Sequence, residues 1–233
     1  MAGSTSYAAH EQIIRIDVGV GNIEGSLIIP EVAQGVILFA HGSGSSRHSS
    51  RNKFVAGELQ RLGFGTLLID LLTAHEEQID VRTAHIRFDI GLLANRVASA
   101  TDWLAANSAT RNLPLGYFGA STGGAAALVA AAQRKDVRAI VSRGGRPDLA
   151  DEALPQVRAA TLLIVGGLDY QVIELNRQAF DRLSQVREKQ MQIVPGATHL
   201  FEEPGTLEKV VQLAGEWFSL HLTGISDEAS AGR

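Results

Sequence analysis

The sequence predicts an α/β chain folded as a doubly wound, mostly parallel eight-stranded sheet with helices on both faces. Six short, near-continuous apolar runs read as strands covered on both sides. Amphipathic stretches lie between most of them, as right-handed crossovers require. The chain begins differently. Gln12–Val18 and Ile23–Ile29 alternate apolar with polar or small residues, and the segment Gly19–Asn22 between them marks an antiparallel hairpin. The continuous runs then follow as Val36–Ala40, Thr66–Leu71, Leu115–Phe118, Ala139–Ser142, Thr161–Val165 and Met191–Val194. Helices are predicted over Lys53–Leu62, Asp89–Ala106, Ser121–Gln133, Val172–Val186 and Leu207–Leu220. Leu72–Arg87 reads as a long connection. The short link between the sixth and seventh strands leaves no room for a large lid domain.

Bulk properties narrow the function classes. With 233 residues, 45% of them apolar and 20% charged, the chain suits one large domain, placed at 11–222, with flexible termini at 1–10 and 223–233. A net charge of −4 and the lack of any basic run argue against nucleic acid as a partner. There is no cysteine, which excludes disulfides, thiolate metal sites and a cysteine nucleophile together. Met1–His10 has neither a basic region nor an apolar core, and Gly123–Ala132 is too short to cross a bilayer. A cytoplasmic protein without membrane contact is therefore expected.

Chemistry concentrates in Leu115-Gly116-Tyr117-Phe118-Gly119-Ala120-Ser121-Thr122-Gly123-Gly124. Here G-x-S-x-G follows an apolar strand and precedes a helix, the setting in which a sharp turn lifts a serine oxygen above the sheet edge. Gly119 and Gly123 are expected because a side chain at either would collide across that turn. An ordinary serine N-cap is the alternative. An acid and a histidine should follow in that order. Asp169 comes just past the seventh strand, in Val165-Gly166-Gly167-Leu168-Asp169. His199 lies in the loop after the eighth, in Val194-Pro195-Gly196-Ala197-Thr198-His199. All three should project from one edge of the sheet. Ser121, Asp169 and His199 are the candidate nucleophile, orienting acid and base. Acyl transfer also needs oxyanion donors. The amide of Thr122 is one candidate; Ser43, with Gly44 as its alternative, is the other, in His41-Gly42-Ser43-Gly44-Ser45-Ser46.

These motifs together resemble the α/β-hydrolase superfamily, and more narrowly dienelactone-hydrolase-like proteins, across Val36 to Leu222. The resemblance implies an eight-stranded sheet with its second strand antiparallel, and hydrolysis of ester or lactone bonds without a cofactor. The namesake enzymes use a cysteine nucleophile; here Ser121 occupies that position, which points to a more general carboxylesterase-like activity on a small-molecule ester.

His41 and Arg143 are candidate substrate contacts. Arg143 belongs to a basic set with Arg47, His48, Arg51 and Arg146 that should rim the site. Ion pairs to Asp148, Asp151 or Glu152 are expected to absorb these charges; an anionic group on the substrate is the alternative. His75 and His85 are expected in a salt-bridged surface loop with Glu76, Glu77, Asp80 and Arg82. No spacing suggests a metal site.

Overall fold

A computed structural model describes residues 10–223. Its strands are β1 Gln12–Asp17, β2 Asn22–Ile28, β3 Gly35–Ala40, β4 Phe64–Ile69, β5 Leu115–Ala120, β6 Val137–Arg143, β7 Ala160–Gly166 and β8 Lys189–Val194. They form one sheet in the order β1-β2-β4-β3-β5-β6-β7-β8. β2 runs antiparallel to both neighbours and every later pairing is parallel. The doubly wound, mostly parallel arrangement and the antiparallel second strand agree with the sequence. Flexible ends were expected over 1–10 and 223–233. Apart from His10 and Thr223, those positions lie outside the described residues, and Thr223 closes the last helix.

Among the described residues six α-helices cover the sheet: α1 Ser50–Arg61, α2 Ala74–Thr83, α3 Ile90–Ala106, α4 Thr122–Ala132, α5 Tyr170–Arg182 and α6 Thr206–Thr223. Side chains alternate along each central strand and feed two cores. Ile37, Phe39, Phe118, Val141 and Ile164 meet α1 and α6 on one face. Leu38, Tyr117 and Ile140 meet α3 and α4 on the other. β3, β4 and β5 are buried along their whole length, which is why they read as unbroken apolar runs.

Two elements differ from the expected ones. The connection Leu72–Arg87 contains α2, with only Asp80 of that helix buried. A capping box between Thr73 and Glu76 starts it. Glu76 pairs with Arg96 at 2.6 Å, and Asp80 with Arg87 at 2.6 Å. Two of the acids expected in that loop, Glu76 and Asp80, are thus paired with arginines. β8 is an edge strand, with Ile193 39% exposed, and it opens on polar Lys189 and Gln190. The link between β6 and β7 holds two short 3₁₀ turns over Pro147–Gln156 and no lid domain.

α6 approaches the sheet closely because β5 has a glycine beneath it. A Cβ on Gly116 would meet Phe218 Cε1 at 2.7 Å. Phe218 is fully buried and also packs on Phe64, with ring centroids 6.3 Å apart. Phe218→Ala should therefore cost about 3–5 kcal/mol of unfolding free energy, measured by urea denaturation. A loss below about 1 kcal/mol would show that α6 does not anchor this face.

Candidate active site

Every candidate residue sits at the carboxyl edge of the parallel strands. Cross-strand register brings Ala40 beside Gly119, Ala120 beside Arg143, and Gly166 beside Val194. The loops carrying Ser121, Asp169 and His199 leave from these ends. Ligands of open α/β sheets bind along this edge.

Ser121 has φ 50° and ψ −122°. A non-glycine residue there costs on the order of 1–3 kcal/mol, so the surroundings must enforce it. They do so through the backbone. Ser121 N–H donates to the Arg143 carbonyl at 3.3 Å, while its own carbonyl accepts from Gly124 at 3.0 Å and Arg146 at 3.1 Å. A Cβ on Gly119 would lie 2.5 Å from Gly123 O, a collision across the turn as expected. A Cβ on Gly123 would instead strike Ala40 O at 2.3 Å, so that glycine admits the end of β3. Although Ser121 occupies the N-cap position of α4, its hydroxyl caps nothing.

Asp169 repeats this pattern. It stands at the N-cap of α5 without capping it, and its Oδ2 lies 2.6 Å from His199 Nδ1. That contact places the proton on Nδ1 and leaves Nε2 of the neutral ring free to accept one. Two glycines press the acid turn against the histidine loop, since a Cβ on Gly166 would lie 2.5 Å from the carbonyls of Ala197 and Thr198. Leu168 N–H donates to Ala197 O at 2.9 Å across the same seam. On the far side, the Thr198 hydroxyl and amide donate to Glu203 at 2.6 and 3.1 Å and hold its carboxyl below the usual range. Asp148 is committed elsewhere, with its two oxygens on Arg146 at 2.9 and 2.7 Å.

Ser121 and His199 line one cleft of about 220 Å³ together with Gly42, Ser43, Arg143 and Leu200. The loop after β3 runs directly over the serine, as a Cβ on Gly42 would lie 3.0 Å from Ser121 Cβ. Thr122 opens α4, so its N–H belongs to the first turn, which has no intrahelical acceptor. The Ser43 N–H likewise has no acceptor among the described residues. A wider depression of about 580 Å³ is lined by His41, Ser45 and Arg47 among others. Arg47 at its wall is clamped by Asp70 and by Glu24, the latter at 2.7 Å.

Two of the expected contact residues have surroundings that the sequence did not show. His41 was expected to touch substrate, but both ring nitrogens are engaged by backbone: Nδ1 donates to Gly42 O at 2.8 Å and Nε2 accepts from Leu71 N–H at 3.1 Å. It braces the loop over Ser121 instead. Arg143 was expected in an ion pair with Asp148, Asp151 or Glu152. Asp148 is taken by Arg146 and Asp151 by Arg182 at 2.6 Å, and no carboxylate reaches Arg143 among the described residues. Its guanidinium makes only long contacts, Nη2 to Asn52 Oδ1 at 3.3 Å and Nη1 to Leu200 O at 3.5 Å, and lies 5.8 Å over the Phe201 ring. Burial, reinforced by the neighbouring Arg51 charge, pushes its pKa down to about 10, so it remains a cation at neutral pH. Asn52 was overlooked because the predicted helix began at Lys53, whereas α1 starts at Ser50.

The sequence profile of the dienelactone hydrolase family matches residues 23–218. The chain belongs to that family. A dienelactone hydrolase of Anabaena variabilis, known from its crystal structure, is 58% identical and superposes with a TM-score of 0.88 over 92% of this chain and 99% of its own. An esterase of Pyrococcus furiosus shares the fold at 14% identity, with a TM-score of 0.75 over 92% of each chain. A protein of Mycobacterium tuberculosis, provisionally named a phosphoribosyl transferase, is 53% identical over 228 residues. That match takes in 96% of this chain and 50% of the relative, so the chain spans about half the length of the curated relatives it matches. The family is named for hydrolases. Among the described residues no helix is long and apolar enough to cross a membrane, and no three His, Asp or Glu side chains converge as metal ligands.

The family's fold leaves His41 as the brace to test. Burial lowers its pKa, so the folded protein holds it neutral while the unfolded chain protonates it near its ordinary value. Its contribution to stability is thus complete above about pH 6.5 and declines as pH falls below that. The urea midpoint should drop from pH 6.5 to 5, and His41→Asn should flatten that slope. Equal slopes in the two proteins would remove His41 as the source.

Proposed function

We propose that this chain hydrolyses carboxylic esters or lactones through an acyl-enzyme on Ser121. One observation carries the reading: Ser121 and Asp169 both occupy N-cap positions without capping, and Asp169 binds the His199 ring that shares the Ser121 cleft. Side chains withheld from their local structural role are available for chemistry.

Ser121 Oγ attacks the substrate carbonyl carbon and its proton passes to His199 Nε2. Asp169 stabilises the resulting imidazolium. The amides of Thr122 and Ser43 receive the developing oxyanion. Collapse breaks the bond to the alkoxy oxygen, which leaves with the proton from His199. A water molecule then gives a proton to Nε2 and attacks the acyl carbon, freeing the acid and restoring Ser121. Serine takes the place held by cysteine in the namesake enzymes. No lid lies between β6 and β7, which favours small or surface-accessible esters.

We read residues 11–222 as one domain that carries this activity. The transferase name of the Mycobacterium tuberculosis relative describes a protein twice as long as the match.

Ser121→Ala should abolish hydrolysis of p-nitrophenyl acetate and labelling by a fluorophosphonate while leaving the circular dichroism spectrum unchanged. Activity near that of the wild type would sink the nucleophile assignment. Asp169→Asn should lower kcat by roughly 10⁴-fold by favouring the wrong imidazole tautomer. Asp148→Asn should change it less than threefold, because that carboxylate serves Arg146. The opposite ranking would move the acid to the β6 loop.

A further inference from the structure

His199 rides on a loop under backbone strain. Phe201, two residues further on, has φ 57°, a left-handed conformation that bulky side chains rarely adopt. Such a residue persists only where its surroundings over-determine it. The Phe201 ring is buried in the core shared with α1 and α6, which fixes the loop on the far side of the histidine. A second restraint is needed before His199, or relaxation at Phe201 would swing the imidazole out of place.

Glu203 supplies that restraint. Its Oε1 accepts from the Thr198 hydroxyl at 2.6 Å and its Oε2 from the Thr198 N–H at 3.1 Å. Both oxygens therefore grip the one residue that immediately precedes His199. Holding a long surface side chain still costs rotamer entropy, and two bonds to an ionised acceptor offset it. These Thr198 donors, first the hydroxyl and then the amide, are what keep the carboxyl below its ordinary range; the nearby cation Arg51 goes to Glu202 instead. The main chain of Glu203 is fixed as well. Its carbonyl accepts from the Thr206 hydroxyl at 2.7 Å and the Thr206 N–H at 3.1 Å, at the first residue of α6. The placement of α6 on the sheet is thus passed through Glu203 to Thr198 and on to His199. From the opposite side the end of β6 closes on the same loop, since a Cβ on Gly144 would lie 3.0 Å from His199 O.

We propose that Glu203 is a positioning residue of the acyl-transfer site, whose two-point grip on Thr198 holds the His199 ring against Asp169 and beside Ser121. This rests on His199 being the base that serves Ser121. Glu203 does not line the cleft and takes no part in bond making.

Proton NMR and ester kinetics on the whole chain test it together. The Nδ1–H of a histidine held by a carboxylate gives a low-field resonance, assigned here by its loss in His199→Ala. Glu203→Ala should broaden or erase that resonance and lower kcat for p-nitrophenyl acetate about tenfold to a hundredfold, with KM little changed. Glu203→Gln keeps an acceptor for the Thr198 amide and a donor for its hydroxyl oxygen, so it should retain the resonance and most of kcat. Thr198→Val removes only the hydroxyl contact and should fall between the two. Wild-type kcat and resonance in Glu203→Ala would overturn the proposal. So would a loss that Glu203→Gln fails to restore, because the charge and not the grip would then be responsible. If Glu203→Ala lacks the native circular dichroism spectrum, Thr198→Val decides: a lower kcat at unchanged KM supports the grip, and an unchanged kcat ends it. Absence of turnover and of fluorophosphonate labelling in the wild type would refute the Ser121 reading instead. The resonance would then decide alone: its loss in Glu203→Ala and retention in Glu203→Gln would support the hold on His199, and any other pattern would end the proposal.

Discussion

Backbone pressed against backbone at the carboxyl edge of the sheet is the constraint on which the rest of this molecule depends. At Gly119, Gly123 and Gly166 a single added carbon would lie within 2.5 Å of a carbonyl oxygen. Main chain that approaches so closely cannot drift, so the loops inherit the rigidity of the strands that launch them. The turn after β5 is thereby locked to the end of β3, and the turn after β7 to the loop after β8. The positions of Ser121, Asp169 and His199 follow from that contact. Side-chain bonds such as Asp169 to His199 then orient groups that the main chain has already brought together.

The same crowding explains how much could be read from the residues alone. Strands buried on both faces must be continuously apolar, which made β3 to β7 visible; the residues at their ends could then be assigned to one edge. The glycines needed for close approach sit beside those residues and give the motif its appearance. α2 was missed because it buries only Asp80 and so lacks an apolar stripe, although Thr73 and Glu76 already spelled its capping box. β8 was read as a covered run because Met191, Ile193 and Val194 are apolar, whereas edge position is a property of the whole sheet.

Charge pairing was the least legible feature, for a physical reason. Arg143, Arg146, Asp148 and Asp151 lie within nine positions of each other, and proximity suggests that they neutralise one another. The chain resolves them otherwise. Arg146 takes Asp148 by a fork, Arg182 from α5 takes Asp151, and Arg143 points into the sheet edge alone. A strand terminus turns successive side chains in different directions, so neighbours in sequence face different surroundings. The surroundings of His41 were hidden in a related way. Its backbone partners, Gly42 and Leu71, come from the ends of two strands, and only the folded sheet brings Leu71 to it.

The unfavourable torsion at Ser121 has a consequence for how this chain can change over time. A residue kept at φ 50° stores free energy that a glycine in its place would release. Replacement by glycine is therefore rewarded in fold robustness, and a gene drifting without selection on the proposed chemistry would gain stability by giving up this side chain. Retention of a side chain at that torsion opposes the gradient of stability. Thermal resistance and the chemistry proposed for Ser121 are consequently opposed at this position, and a screen for hardier variants would favour glycine there unless turnover were scored alongside.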